Sequence, residues 1–93
     1  MAELRVSCTP SEDGWNCHVT VDEGGSRTEH QVSLTADDLR RYGGESAAPE
    51  GLVEESFRFL LKREPKEAIL GRFELPVIGR YFPEYEAAIR RRL

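Results

Sequence analysis

Apolar and polar residues alternate along the first third of the chain, from residue 3 to residue 34. Alternation with a period of two is typical of β-strands that bury one face and expose the other. The pattern indicates three such strands, and their opposite face is polar. The positions on the buried face are Leu4, Val6 and Cys8, then Trp15, Cys17, Val19 and Val21, then Thr28, His30, Val32 and Leu34.

Two turns connect these strands and set their register. The Gly24-Gly25 pair predicts a two-residue hairpin turn, because glycine adopts a positive φ freely. Centring the turn on this pair places Cys17 opposite Val32. The turn-forming residues 10–14 join the first two strands and place Cys8 opposite Cys17. An antiparallel meander is therefore predicted.

Helical signals follow the third strand. Thr35 and Asp38 predict a capping box that starts a short helix. Pro49 suits the first turn of a longer helix, and prolines 65, 76 and 83 divide the rest of the chain into short helical pieces. Such short pieces are stable only when they pack against the rest of the protein. One face of the longer helix carries Leu52, Val53, Phe57, Leu60 and Leu61.

The predicted fold class is α+β: a three-stranded antiparallel meander with one face covered by a main helix and short C-terminal helices. Residues 1–34 form the antiparallel sheet and residues 35–93 the helical part of a single domain, 1–93. A chain of 93 residues can build one hydrophobic core and is too short for two. Its composition, 39% hydrophobic and 32% charged, is that of a domain that folds without a cofactor.

The amino terminus, Met-Ala-Glu-Leu-Arg, carries no apolar signal-peptide segment, and the chain has no apolar run of membrane-spanning length. The sequence therefore predicts a cytoplasmic protein without a membrane partner.

The charge balance argues against general binding of nucleic acids. The formal net charge is −4, whereas phosphate contacts need a concentrated positive face. Arg90, Arg91 and Arg92 form the one dense basic cluster. Cations in the last turn of a helix interact favourably with its dipole, which is the interpretation that the sequence favours. Contact of this cluster with a phosphate remains the alternative.

Cys8 and Cys17 face each other in the predicted register. A chain without an export signal is exposed to reducing thiols, so the sequence favours two free cysteines in the core. A redox pair is the first alternative. A metal site is the second, with His30 as third ligand, but it lacks an evident fourth ligand, and no metal is predicted. His18 falls on the opposite, polar face and cannot join that site.

Phe59 stands apart among the aromatic residues. It follows Phe57 by two residues and therefore lies roughly 200° around the same helix. The two side chains cannot share one buried face. Phe59 either packs beneath the proline-broken C-terminal segment or presents an apolar surface to a partner protein.

The C-terminal half resembles a group of small bacterial proteins for which no activity is defined. The resemblance rests on Ser56-Phe-Arg-Phe-Leu-Leu-Lys-Arg-Glu-Pro65, Ile69-Leu70, Phe73-Glu-Leu75, Val77-Ile78 and Tyr81-Phe-Pro-Glu-Tyr85. It implies a short, self-contained bacterial chain, and it assigns no catalytic residue.

No motif of a known catalytic class is present, so an enzyme is not favoured. By elimination, the sequence favours a protein–protein interaction or regulatory module. The open edges of a small sheet also favour a homodimer formed by strand addition. A nucleic-acid-binding or antitoxin-like regulator that uses the arginine cluster is the first alternative, and a small enzyme with a site at a dimer interface is the second.

Overall fold

The computed structural model describes residues 2–93, which fold into a sheet and a set of helices on one of its faces. The elements are β1 (Glu3–Pro10), β2 (Gly14–Glu23), β3 (Ser26–Thr35), α1 (Ala36–Gly43), α2 (Pro49–Leu61), β4 (Arg72–Glu74), α3 (Val77–Tyr81) and α4 (Tyr85–Arg92). A 3₁₀ turn, Lys66–Ala68, lies between α2 and β4. The predicted α+β class is confirmed.

The register of the first three strands is the predicted one. β1 and β2 pair antiparallel with Cys8 opposite Cys17, and β2 pairs with β3 with Cys17 opposite Val32. Gly24 and Gly25 have φ angles of 65° and 80°, which residues with a Cβ rarely adopt. The glycine pair therefore sets the register by its backbone conformation.

The prediction of three antiparallel strands is wrong by one strand. β4 pairs parallel with β3, giving a mixed four-stranded sheet in the order β1-β2-β3-β4. β4 contains three residues, of which only Phe73 is buried. Its pairing is fixed at both ends, because Gln31 N–H donates to the Gly71 carbonyl at 2.8 Å and Leu75 N–H donates to the Ser33 carbonyl at 2.9 Å. Residues 35–93 are thus not wholly helical.

Both predicted helix starts are confirmed. The Thr35 side chain accepts from the Asp38 N–H at 3.0 Å, and the Asp38 side chain accepts from the Thr35 N–H at 2.9 Å. α1 ends before Gly44, which has a φ of 85°. α2 starts at Pro49 as expected for proline in a first turn.

The core lies between the apolar face of the sheet and the helices. Its buried residues from the sheet include Cys17, Val19, Val21, Val32, Leu34 and Phe73, and those from the helices include Tyr42, Leu52, Val53, Phe57, Phe59, Leu60, Ile78, Tyr85 and Ile89. None of the helices within residues 2–93 has both the length and the apolar character needed to cross a lipid bilayer.

Candidate functional site

A buried histidine holds the segment that leads from α2 into β4. His30 is buried on the apolar face of β3, and its Nδ1 lies 2.8 Å from the Leu70 carbonyl oxygen. A carbonyl oxygen only accepts, so Nδ1 carries the hydrogen; in the neutral ring, Nε2 then accepts from the Thr28 hydroxyl at 2.9 Å. The His30 ring also packs against Phe57, with centroids 5.2 Å apart. The backbone at Leu70 is thereby fixed to the core.

An apolar groove of about 150 Å³ opens next to this fixed segment. The end of α2, the chain between α2 and β4, β4 itself and α3 each form part of its wall. The lining residues are Leu60, Glu64, Ala68, Ile69, Leu70, Phe73, Val77, Ile78, Tyr81 and Phe82. We call this feature the C-terminal groove.

Two large apolar side chains are exposed at the C-terminal groove. Leu70 is 47% exposed and Tyr81 is 65% exposed, although their neighbours Ile69 and Phe82 are buried and half buried. Leu93 is the other exposed large apolar side chain within residues 2–93. Apolar side chains that stand together beside a groove are a feature of binding surfaces.

Leu70 and Tyr81 are not among the candidate residues that the sequence predicts. Leu70 directly follows Ile69, and Tyr81 directly precedes Phe82. Adjacent large apolar residues can both be buried, as Phe59 and Leu60 are in α2, so adjacency alone does not predict which side chain is exposed. The signal in the sequence is limited to these pairs of adjacent large apolar residues.

One carboxylate at the C-terminal groove is unneutralised. Glu64 is half buried and, within residues 2–93, makes no ion pair, whereas the preceding Arg63 is fully engaged. Arg63 pairs with Glu84 at 3.2 Å and lies over the Phe59 ring, 3.6 Å from its centroid. Among the residues of 2–93 that line the C-terminal groove, Glu64 is the one charged residue, so it gives the rim a negative charge.

Phe59 is part of the core, which corrects its assignment as a candidate partner surface. It is 1% exposed and lies beneath the C-terminal segment, with its ring centroid 5.9 Å from that of Phe82 and 5.3 Å from that of Tyr85. Of the two interpretations of Phe59, the structure shows packing beneath the C-terminal segment.

The C-terminal arginines do not form one basic face. The Arg90 Nε donates to the Arg41 carbonyl at 2.8 Å, and the Arg92 Nη1 pairs with the Glu55 Oε1 at 3.1 Å. Arg91 is exposed and makes no ion pair within residues 2–93. Two of the three guanidinium groups are thus engaged in contacts inside the domain.

A disulfide joins Cys8 and Cys17, whose Cα atoms are 4.0 Å apart. Cys17 is buried and Cys8 is half buried. The structure therefore differs from the favoured expectation of two free cysteines. The proposed metal alternative also fails at His30, because both of its ring nitrogens are engaged in hydrogen bonds.

His18 lies on the polar face of the sheet, as predicted. Its Nε2 is 2.8 Å from the Glu29 Oε1, and both side chains are substantially exposed. Within residues 2–93, no group of three or more His, Cys, Asp or Glu side chains is arranged to hold a metal ion. In the part of the chain that the structure describes, the pair has no further polar partner that would build a site around it.

The block that carries the sequence resemblance builds the C-terminal groove. Its first and last residues, Ser56 and Tyr85, are joined by a buried hydrogen bond of 2.6 Å. Most of its apolar residues pack in the core, and Leu70 and Tyr81 are the large ones that do not. Comparisons with protein-family models, with curated proteins and with solved structures find no match to this chain. Function is therefore inferred from geometry alone.

Proposed function

We propose that this domain is a protein–protein interaction module that binds a short segment of a partner protein in the C-terminal groove. The observation that supports it is the exposure of Leu70 and Tyr81 beside a groove with an apolar floor. Burying these two side chains against a partner removes apolar surface from water, which is the main favourable term in protein association.

The C-terminal groove is held in place before any partner binds. Hydrogen bonds from His30 to Leu70 and from Gln31 to Gly71 attach one wall to β3. On the other wall, Phe82 packs against the buried Phe59. Groups that are already fixed lose little conformational entropy on binding, so more of the contact energy appears as affinity.

The size and charge of the groove define the partner segment. An apolar cavity of about 150 Å³ holds one benzene ring, so this groove accommodates a single leucine- or phenylalanine-sized side chain. The Glu64 carboxylate at the rim, which makes no ion pair within residues 2–93, favours a lysine or arginine next to that side chain. A single apolar anchor with one ion pair gives a weak, transient complex.

Titration of the ¹⁵N-labelled protein with short peptides, followed by NMR, tests the proposal. The probe is acetyl-Gly-Leu-Arg-Gly-amide, and the matched peptides replace Arg by Glu or Leu by Ser. We expect saturable shifts of the amide signals of residues 69–73 and 77–82 with the Leu-Arg peptide. The Leu-Glu peptide binds more weakly, and the Ser-Arg peptide produces no saturable shift.

Charge reversal provides the control. Glu64→Lys reverses the preference between the Leu-Arg and Leu-Glu peptides. Glu50→Lys adds the same charge change in the first turn of α2, about 15 Å along the helix from its last turn, and leaves the preference unchanged. The absence of localised shifts with every peptide, or an equal effect of the two variants, contradicts the proposal.

We also propose a cytoplasmic location for this module. The Cys8–Cys17 disulfide counts against this location, because disulfides persist mainly in oxidising compartments, so the state of these two cysteines in the cell is the test. Cells that produce the protein naturally are lysed in denaturant that contains an alkylating reagent, which modifies every free thiol. The mass of the protein is then measured by mass spectrometry. Two alkylated cysteines support the cytoplasmic location, and an unmodified protein contradicts it.

A further inference from the structure

One edge of the sheet is unpaired along its whole length. β1 is the first strand in the order β1-β2-β3-β4, so its outer side faces no other strand. The Ser11 N–H donates to the Gly14 carbonyl at 2.8 Å, so these two residues form a hydrogen-bonded pair at the end of the ladder. Hydrogen-bonded and non-hydrogen-bonded pairs alternate along an antiparallel ladder, so Leu4, Val6 and Cys8 fall in non-hydrogen-bonded pairs with β2. Their N–H and C=O groups therefore point outward, away from β2.

The side chains of the same three residues are incompletely covered. Leu4, Val6 and Cys8 pack against the core, yet each is only half buried, because no strand lies beyond them. A further strand on this edge covers their remaining apolar surface and pairs their backbone groups. Edges of this kind are templates for strand addition.

The opposite edge is protected. β4 pairs with residues 31–33 of β3 and is itself only three residues long. The part of β3 beyond it covers only residues 26–30, whereas β1 offers eight residues for pairing. Strand addition is therefore directed to β1.

We propose that β1 pairs antiparallel with β1 of a second copy of this chain, about a two-fold axis at Val6. Val6 then faces Val6 of the second copy, and Leu4 faces Cys8 on either side of the axis. Each of these pairs exchanges two backbone hydrogen bonds. A two-fold contact of one surface with itself closes after two copies, so the product is a dimer.

The charges on the polar face are compatible with this register and disfavour one of its neighbours. Arg5 lies opposite Ser7 of the second copy and Glu3 lies opposite Thr9, so no like charges meet. A register slipped by two residues toward the amino terminus places Arg5 opposite Arg5, where the two guanidinium groups repel each other.

Sedimentation equilibrium of matched Ser7 variants tests both the dimer and its register. Because Ser7 faces Arg5 twice in the dimer, Ser7→Glu creates two opposite-charge pairs and Ser7→Arg creates two like-charge pairs. We expect the dimer Kd to fall about 2- to 30-fold for Ser7→Glu and to rise by a similar factor for Ser7→Arg. Arg5→Glu reverses the order of the two variants. Asn16→Glu and Asn16→Arg add the same charges on β2 and change the Kd little.

A proline variant tests the backbone contribution. The nitrogen of Val6 points away from β2, as does that of Pro10 in the same strand. Val6→Pro therefore keeps the ladder with β2 and removes a central hydrogen bond of the dimer. We expect a folded monomer by circular dichroism. Sedimentation at the 10.6 kDa of one chain for every variant, Ser7→Glu included, overturns the dimer. Equal effects of Ser7→Glu and Ser7→Arg overturn the register.

Discussion

Ser56 and Tyr85 are the centre of a buried hydrogen-bond chain that attaches α4 to α2. Both residues are fully buried. The Ser56 hydroxyl donates to the Leu52 carbonyl at 2.7 Å, so its one proton is used there. The Tyr85 hydroxyl, 2.6 Å from the Ser56 Oγ, must then be the donor in that contact. The direction of the chain is Tyr85 to Ser56 to Leu52.

This direction makes the two truncations unequal. Tyr85→Phe removes one hydrogen bond and leaves Ser56 bonded to Leu52, so we expect a loss of about 0.5–1.5 kcal/mol in the free energy of unfolding. Ser56→Ala leaves the Tyr85 hydroxyl without an acceptor, and an unsatisfied buried polar group costs about 1–3 kcal/mol. In the double variant no polar group is left unsatisfied. Its cost should therefore be close to that of Tyr85→Phe alone.

The assay is urea unfolding of the wild type, both single variants and the double variant, followed by the fluorescence of Trp15. We expect the two single costs to exceed the cost of the double variant by about 1–3 kcal/mol. Strictly additive costs, or a Ser56→Ala protein as stable as the wild type, would refute the proposed direction of the hydrogen-bond chain. Equal slopes against urea in all four proteins confirm that the comparison concerns stability.

Three further outcomes are expected. Phe57 is fully buried, and Phe57→Ala should lower the free energy of unfolding by about 3–5 kcal/mol; a midpoint shift near zero in urea means that α2 packs through another face. Burial raises the pKa of Tyr42 and of Tyr85 above the ordinary value of 10.0, so above pH 10 the unfolded chain loses these protons more readily than the folded one. The free energy of unfolding should therefore keep its full value below pH 10 and fall above it, less steeply in Tyr85→Phe. Reduction of the Cys8–Cys17 disulfide, whose cysteines are nine residues apart in sequence, should lower the free energy of unfolding by about 2–3 kcal/mol. Identical urea unfolding curves with and without dithiothreitol contradict the disulfide.

The parts of the fold predicted correctly depend on residues that are close in sequence. The Gly24-Gly25 turn sets one hairpin register, because positive φ angles at both positions match the twist of the flanking strands. The capping box of Thr35 and Asp38 spans a single helical turn. In each case the relevant backbone geometry is local, so amino-acid identity and spacing suffice to predict it.

The candidate site was not predictable in the same way. Leu70 and Tyr81 each adjoin another large apolar residue, and the sequence does not say which member of each pair is covered. The exposure of Leu70 depends on His30, which lies forty positions earlier in the chain. His30 fixes the backbone of Leu70, while the Leu70 side chain stays exposed. Phe59 shows the reverse case, since α4 covers a side chain that helical phase alone places outward.

The sequence by itself determined the α+β class, the three long strands with their register, and the starts of α1 and α2, because hydrophobic period, turns and caps act over a few residues. Only the tertiary structure decided that Arg72–Glu74 adds a parallel strand, that Phe59 is covered, and that Leu70 and Tyr81 border a groove. These outcomes depend on which distant segments of the chain come into contact. A parallel strand of three residues is too short to show a recognisable alternation in the sequence, and its pairing exists only once residues 72–74 lie beside β3.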